Sequence, residues 1–153
     1  MAYRGKFKPK NPQKYRGDPS GIVYRSSLEL RVMGRLDSSP NVIWWSSEEM
    51  HVKYVDPTKR NSTGTMGRLR RYFPDMVYCR RNPDGTQTTI MVEIKPAKES
   101  RPPVHRSGKR RKTIISEELT WAVNSAKWAA ARKFCADQGW EFEIMTEKEI
   151  FGH

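Results

Sequence analysis

Three residues in the middle of the chain, Asp75, Glu93 and Lys95, have types and spacing that could do chemistry. They flank Asn82-Pro83-Asp84-Gly85, which fits a type I turn with Gly85 left-handed and a loop closed by Asn82 opposite Thr86. In an antiparallel hairpin of that register Asp75 lies directly across from Glu93, with Cβ atoms about 5 Å apart. Lys95 shares the face of Glu93, and Ile90, Val92 and Ile94 take the other face. Two carboxylates ~4 Å apart repel by about 4 kcal/mol at an effective dielectric of ~20, so the pair asks for a compensating cation. Mg²⁺ meets that need, being held by one or two carboxylates together with phosphate oxygens. Lys95 would then orient or deprotonate a water, or stabilise charge growing on a phosphate. The same residues also fit an ordinary Pro-Asp bend beside a solvated Glu-Lys pair, and a one-residue slip in the turn would part the carboxylates.

The elements that must position these residues read as follows. Ser26 or Ser27 can cap a helix whose apolar positions Leu28, Val32, Met33 and Leu36 keep a 3.6 period, stopped by Asp37-Ser38-Ser39-Pro40. Glu29 lies on the shoulder of that apolar face, where a carboxylate is costly unless paired or bound to a cation. After the short run Val42-Ile43-Trp44-Trp45, the alternation of Met50, Val52 and Tyr54 predicts a half-buried strand, followed by a polar loop through about residue 71. Strands are predicted over 72–79 and 86–95, the second stopped by Pro96. A mobile basic loop is expected over 97–113 and a long helix over 116–138, ended by Gly139. Lys127 projects from that helix, either to reach the site or to snorkel from a core edge. Trp140, Phe142 and Ile144 alternate as a last strand, and 146–149 starts a short helix. The order helix, three strands, helix, strand is an α/β pattern.

The 153 residues carry 29 Lys and Arg against 17 Asp and Glu, a net charge of +12 that favours a polyanionic partner, nucleic acid first. The cations cluster. Residues 1–23 read as a basic extended arm in which Arg4, Lys6, Lys8, Lys10, Lys14 and Arg16 alternate with Tyr3, Phe7 and Tyr15. Its aromatics could stack on bases, staple the arm to the domain or dock on a protein. Arg68, Arg70 and Arg71 form a second cluster; Arg106, Lys109, Arg110, Arg111 and Lys112 are the heart of a third, and both are candidate DNA contacts. No apolar run approaches the ~20 residues of a membrane span, and the start of the sequence lacks a signal-peptide centre, so a soluble cytosolic protein is expected. Two cysteines without a C-x-x-C and three scattered histidines argue against structural zinc.

Pro74-Asp75 followed by Glu93-Ile94-Lys95 on adjacent strands of such an order resembles the PD-(D/E)xK nuclease superfamily. The resemblance implies that Asp75 and Glu93 hold a catalytic Mg²⁺, with Mn²⁺ as substitute, that the Ile94 carbonyl is a further ligand, and that Lys95 serves the attacking water. Several members carry a glutamate on the first core helix; Glu29 matches it, with Glu48 and Glu49 as rivals. Gly5-Lys6-Phe7, residues 9–15, 24–30 and 45–49, Arg71-Tyr72-Phe73-Pro74-Asp75 and Glu93-Ile94-Lys95-Pro96 are also similar to the head-completion nucleases of large contractile-tailed bacteriophages. Over the core alone the chain resembles the TnsA-type endonuclease subunit of transposons. These resemblances imply a restriction-endonuclease-like domain over 24–153 behind the arm 1–23. They imply endo- and exonuclease activity on packaged DNA before head and tail join, in the host cytoplasm during virion assembly and with possible virion association. The partners implied are DNA and portal, neck or head-completion proteins, with no membrane and a possible homo-oligomer. A non-catalytic DNA-binding connector and a transposase-type subunit are the alternatives.

Overall fold

The computed structural model describes residues 3–151. Along the chain run β1 (Gly5–Lys6), β2 (Val23–Tyr24), α1 (Ser27–Ser38), β3 (Val42–Ser47), β4 (Val52–Arg60), β5 (Met66–Tyr72), β6 (Met76–Arg81), β7 (Gln87–Ile94), α2 (Arg111–Gln138), β8 (Glu141–Met145) and α3 (Glu147–Ile150). The central sheet has the order β3-β6-β7-β8. β6 pairs antiparallel with β3 and β7, whereas β7 and β8 are parallel, because α2 carries the chain back between them. Helix, three strands, helix, strand is thus the order of the core, with the β4–β5 ribbon inserted between its first and second strands.

Strand alternation sorts the apolar side chains onto two faces. Met76, Tyr78, Ile90, Val92 and Ile94 pack with Val32, Met33 and Leu36 of α1 and with Ile150 of α3. Val77 and Met91 pack on the other face with Trp128, Ala131 and Cys135 of α2 and with Val52, Tyr54 and Tyr72 of the ribbon. Cys79 and Cys135 are buried free thiols.

Three expectations are corrected. The first core strand is β3, not the Met50–Tyr54 alternation, of which Val52–Tyr54 opens β4. The polar stretch read as a loop through residue 71 is largely β5: its Gly and Arg are poor strand signals, yet Lys53, Val55 and Asp56 pair with Arg71, Leu69 and Arg68. The strand read over 72–79 is broken at Phe73-Pro74-Asp75, so Tyr72 closes β5 and Met76 opens β6. The basic loop also ends sooner than expected. α2 begins at Arg111, two residues before the loop was to stop. Cations at a helix N-terminus oppose its dipole, but Lys109 reaches Glu117 at 2.7 Å and His105 pairs with Glu118, folding the loop back along the first turns.

Residues 5–23 lie against the core. β1 pairs with β2, and Tyr15 and Ile22 are buried. Phe7 and Tyr15 meet the Trp45 ring edge-on at 5.7 and 4.8 Å between centroids. The Lys10 and Asn11 amides donate to the buried Asp37 carboxylate at 2.8 and 3.2 Å, and Lys14 Nζ donates to the Asp37 and Ser39 carbonyls. Of the three roles open to its aromatics, Phe7 and Tyr15 take the stapling one.

Candidate active site

The turn sets the hairpin register. Asn82 N–H donates to the Thr86 carbonyl at 2.7 Å, Gly85 has φ +89°, and Asp84 accepts from the Thr86 amide. Met76 therefore faces Val92, and Asp75, in the bend just before β6, comes next along that register toward Glu93, its carboxylate reaching the Ile94 amide. Both carboxylates fall on the α2 face, since they continue the rows of Val77 and Met91. Lys95 follows directly after the end of β7, where it is half-buried and makes no ion pair among the described residues.

Asp75 Oδ2 accepts from the Ile94 amide at 2.7 Å, and Glu93, only 5% exposed, accepts from Trp128 Nε1 at 3.1 Å. Burial, and after it the neighbouring Glu93, pushes the Asp75 carboxyl well above its ordinary range; the Ile94 hydrogen bond opposes this only in part. Tyr72, 4% exposed, brings a buried hydroxyl that makes no well-formed hydrogen bond, although Glu93 is close enough to act on it. Burial raises its pKa first, and the charges of Glu93 and Asp75 raise it further, so the phenol faces the two acids as a neutral donor.

Glu29 sits at the rim of this group. Ser26 Oγ caps α1 by accepting the Glu29 amide at 3.1 Å, and the Glu29 carboxylate turns back to accept the Arg25 amide at 2.9 Å, a variant of the capping box. Its pKa is raised mainly by burial, eased by the Arg25 amide, and raised again by the charges of Glu48 and Glu93. The two rivals are committed elsewhere. Glu49 accepts from the Tyr15 hydroxyl at 2.6 Å. Glu48 pairs with Arg25 and adopts a left-handed φ of +54°, rare for a non-glycine residue, while its amide donates to the Asp75 carbonyl at 3.3 Å.

Among the described residues no three His, Cys, Asp or Glu side chains converge closely enough to hold a metal. What the chain offers is two opposed carboxylates, nearby backbone oxygens such as the Ile94 carbonyl, and an unsatisfied phenol. That donor set suits Mg²⁺, which keeps several waters and takes few protein ligands, and does not suit zinc.

The predicted DNA-contacting cations lie on β5 and around the start of α2. Arg68, Arg70 and Arg71 are exposed on β5, but Arg70 leans on Asp56 at 3.5 Å. By register Arg68 and Arg70 share the face of Tyr54 and Asp56, whereas Arg71 stands with Lys53 on the other. Arg106, Arg110, Arg111 and Lys112 are exposed around the start of α2, and Lys109 is tied to Glu117 and the Val104 carbonyl. Lys127 lies over the Tyr54 and Tyr72 rings, 5.9 and 5.8 Å from their centroids.

Sequence reasoning treated Trp128 as packing and passed over Tyr72. The available signal was generic: a tryptophan or tyrosine buried in a core needs a partner for its polar atom.

A core of this order with an acidic pair at one end of its sheet is a restriction-endonuclease-like fold. Residues 39–147 match the model of the TnsA-like endonuclease N-terminal family. The chain is also 39% identical over 150 residues to the head completion nuclease of Enterobacteria phage T4, covering 96% of this chain and 93% of that protein. The chain belongs to the TnsA-like endonuclease family. Asp75, Glu93 and Lys95 fall inside the matched stretch and Glu29 falls before it. No helix among the described residues is long and apolar enough to cross a membrane.

Proposed function

We propose that the protein is a Mg²⁺-dependent deoxyribonuclease that acts on packaged DNA during phage head completion, before the tail joins. The observation that supports this reading is the meeting of Asp75 with the strand end that carries Glu93, where the Asp75 carboxylate accepts from the Ile94 amide at 2.7 Å, with Lys95 next in sequence. The head-completion context comes from the 39% identical phage relative and its name.

Asp75 and Glu93 bind the ion, with the Ile94 carbonyl as a further oxygen donor and Glu29 as the carboxylate at the rim. When bound, Mg²⁺ polarises the scissile P–O bond and lowers the pKa of water. Lys95 Nζ orients the attacking water and stabilises negative charge growing on the phosphoryl oxygens. Exposed Arg68 and Arg71, on the two faces of the β4–β5 ribbon, and Arg106, Arg110, Arg111 and Lys112 around the start of α2 hold the flanking backbone and fix its register without reading sequence.

Plasmid and linear DNA incubated with Mg²⁺ or Mn²⁺ are expected to be nicked or shortened by the wild type, and to survive with Asp75→Ala and Lys95→Ala. Equal activity in all three proteins would remove the reading. DNA binding that persists in chelator, with no cleavage under either metal, would instead make the protein a connector.

A further inference from the structure

We infer that Trp128 and Tyr72 are positioning residues of the carboxylate pair. The Trp128 indole fixes Glu93 in its orientation, and the Tyr72 hydroxyl donates to an oxygen that enters beside the acids, carried by the hydrated ion or by a DNA phosphate. This inference rests on the nuclease reading above and names the residues that prepare its site.

Two independent observations support it. The first is the 3.1 Å hydrogen bond from Trp128 Nε1 to Glu93 Oε2, which crosses from α2 to the sheet. An indole N–H is a donor only, so this contact holds one Glu93 oxygen as an acceptor and sets the direction of the carboxylate. Trp128 is itself clamped, 3% exposed and edge-on to Trp121 at 5.7 Å, so the donor has little freedom to move. Outer partners that orient ligating carboxylates govern metal affinity in this way.

The second is the lone hydroxyl of Tyr72. A buried polar atom without a partner costs stability, and native folds seldom keep one without a use. Only one other buried side-chain polar atom shares this condition among the described residues, Trp45 Nε1, which packs among aromatic rings on the opposite face of the sheet. Tyr72 is different in its surroundings: it packs in the same cluster as Trp128, the residue hydrogen-bonded to Glu93. The residue also closes β5 immediately before Phe73-Pro74-Asp75, so the backbone that aims Asp75 aims this phenol as well.

The test uses the full chain with Mn²⁺ alone as first probe, read by the electron paramagnetic resonance signal of free Mn²⁺ without DNA. A short duplex in chelator, read by fluorescence anisotropy, is the second probe. Trp128→Phe keeps an aromatic ring and should weaken Mn²⁺ binding by about 10- to 100-fold. Tyr72→Phe removes only the lone oxygen. The metal-free variant should melt at or above the wild-type temperature, yet lose several-fold affinity for Mn²⁺ if the oxygen belongs to the ion, or for the duplex if it belongs to phosphate. In the wild type, the Trp128 Nε1–H proton resonance should shift on adding Mg²⁺, a readout that needs no variant.

A lower metal-free melting temperature for Tyr72→Phe would make the hydroxyl structural and overturn its part. An unmoved indole resonance with unchanged Mn²⁺ affinity in Trp128→Phe would overturn the other. If the wild type takes up no Mn²⁺, the nuclease reading falls and this inference with it. If the wild type binds Mn²⁺ and both variants match it, this inference alone falls.

Discussion

The Ile94 amide donates to Asp75 Oδ2 at 2.7 Å, so the carboxylate of one strand is fastened to the backbone of the strand that carries Glu93. The bond fixes Asp75 where burial and a like charge penalise its ionisation. The native state therefore holds a proton that the unfolded chain releases, and stability contributed by this group below about pH 4, the ordinary Asp range, is lost as pH rises through the raised native value. Asp75→Asn keeps an oxygen for the Ile94 amide and removes the charge. Metal-free Asp75→Asn should melt higher than the wild type at pH 7, by ~2–4 °C if the relief is about 1 kcal/mol, and the gap should close at acid pH. Mg²⁺ should raise the wild-type melting temperature and leave the variant unmoved. Calorimetric scans across pH check both.

Lys95 makes no ion pair among the described residues, so its charge contributes little to holding the fold. Lys95→Met is expected to keep the wild-type melting temperature and Mn²⁺ affinity while cleavage falls by about 10²- to 10⁴-fold. Single-turnover rates measured beside a Mn²⁺ titration separate the two effects.

Glu29 and Glu49 divide between chemistry and architecture. Glu29→Gln can still accept the Arg25 amide, so α1 should be unharmed and cleavage reduced about tenfold or more. Glu49→Ala strips the Tyr15 hydroxyl of its 2.6 Å partner and should cost about 1–3 kcal/mol of stability, with the rate per folded molecule unchanged. Urea titrations and rates on the same preparations assign each residue.

Cations already engaged within the protein should count for less on DNA. Arg68→Ala and Arg71→Ala are each expected to lower the salt slope of duplex binding by roughly one. Arg70→Ala and Lys109→Ala should lower it less, because Asp56 and Glu117 already engage those side chains. Binding isotherms between about 50 and 200 mM salt, in chelator, rank the four.

How far the sequence could be read followed from how local each signal was. The turn Asn82-Pro83-Asp84-Gly85 determines its own hydrogen bonds, and these set the register from Arg81–Gln87 to Met76–Val92 that leads Asp75 toward Glu93. α1 was equally legible, since its cap and apolar period are contained within it. β5 was not, because Gly67, Arg68, Arg70 and Arg71 carry no strand preference and are held by pairing with β4. The early start of α2 depended on side chains that meet only after the loop has folded back. Trp128 and Tyr72 lie 35 and 21 positions from Glu93, and no pattern within either segment says that their polar atoms share a neighbour.

Because Phe7, Tyr15 and Ile22 line one wall of the core, Lys6, Lys8 and Lys10 point outward from a segment that is already immobilised. A capsid protein or a DNA backbone meeting that edge would find its positive charges preset and would lose no entropy in ordering them. Trimming the chain to residue 23 would unroof Trp45 before it removed any docking contact, so such a deletion reports on folding, and charge reversal at those three lysines is the cleaner probe of attachment.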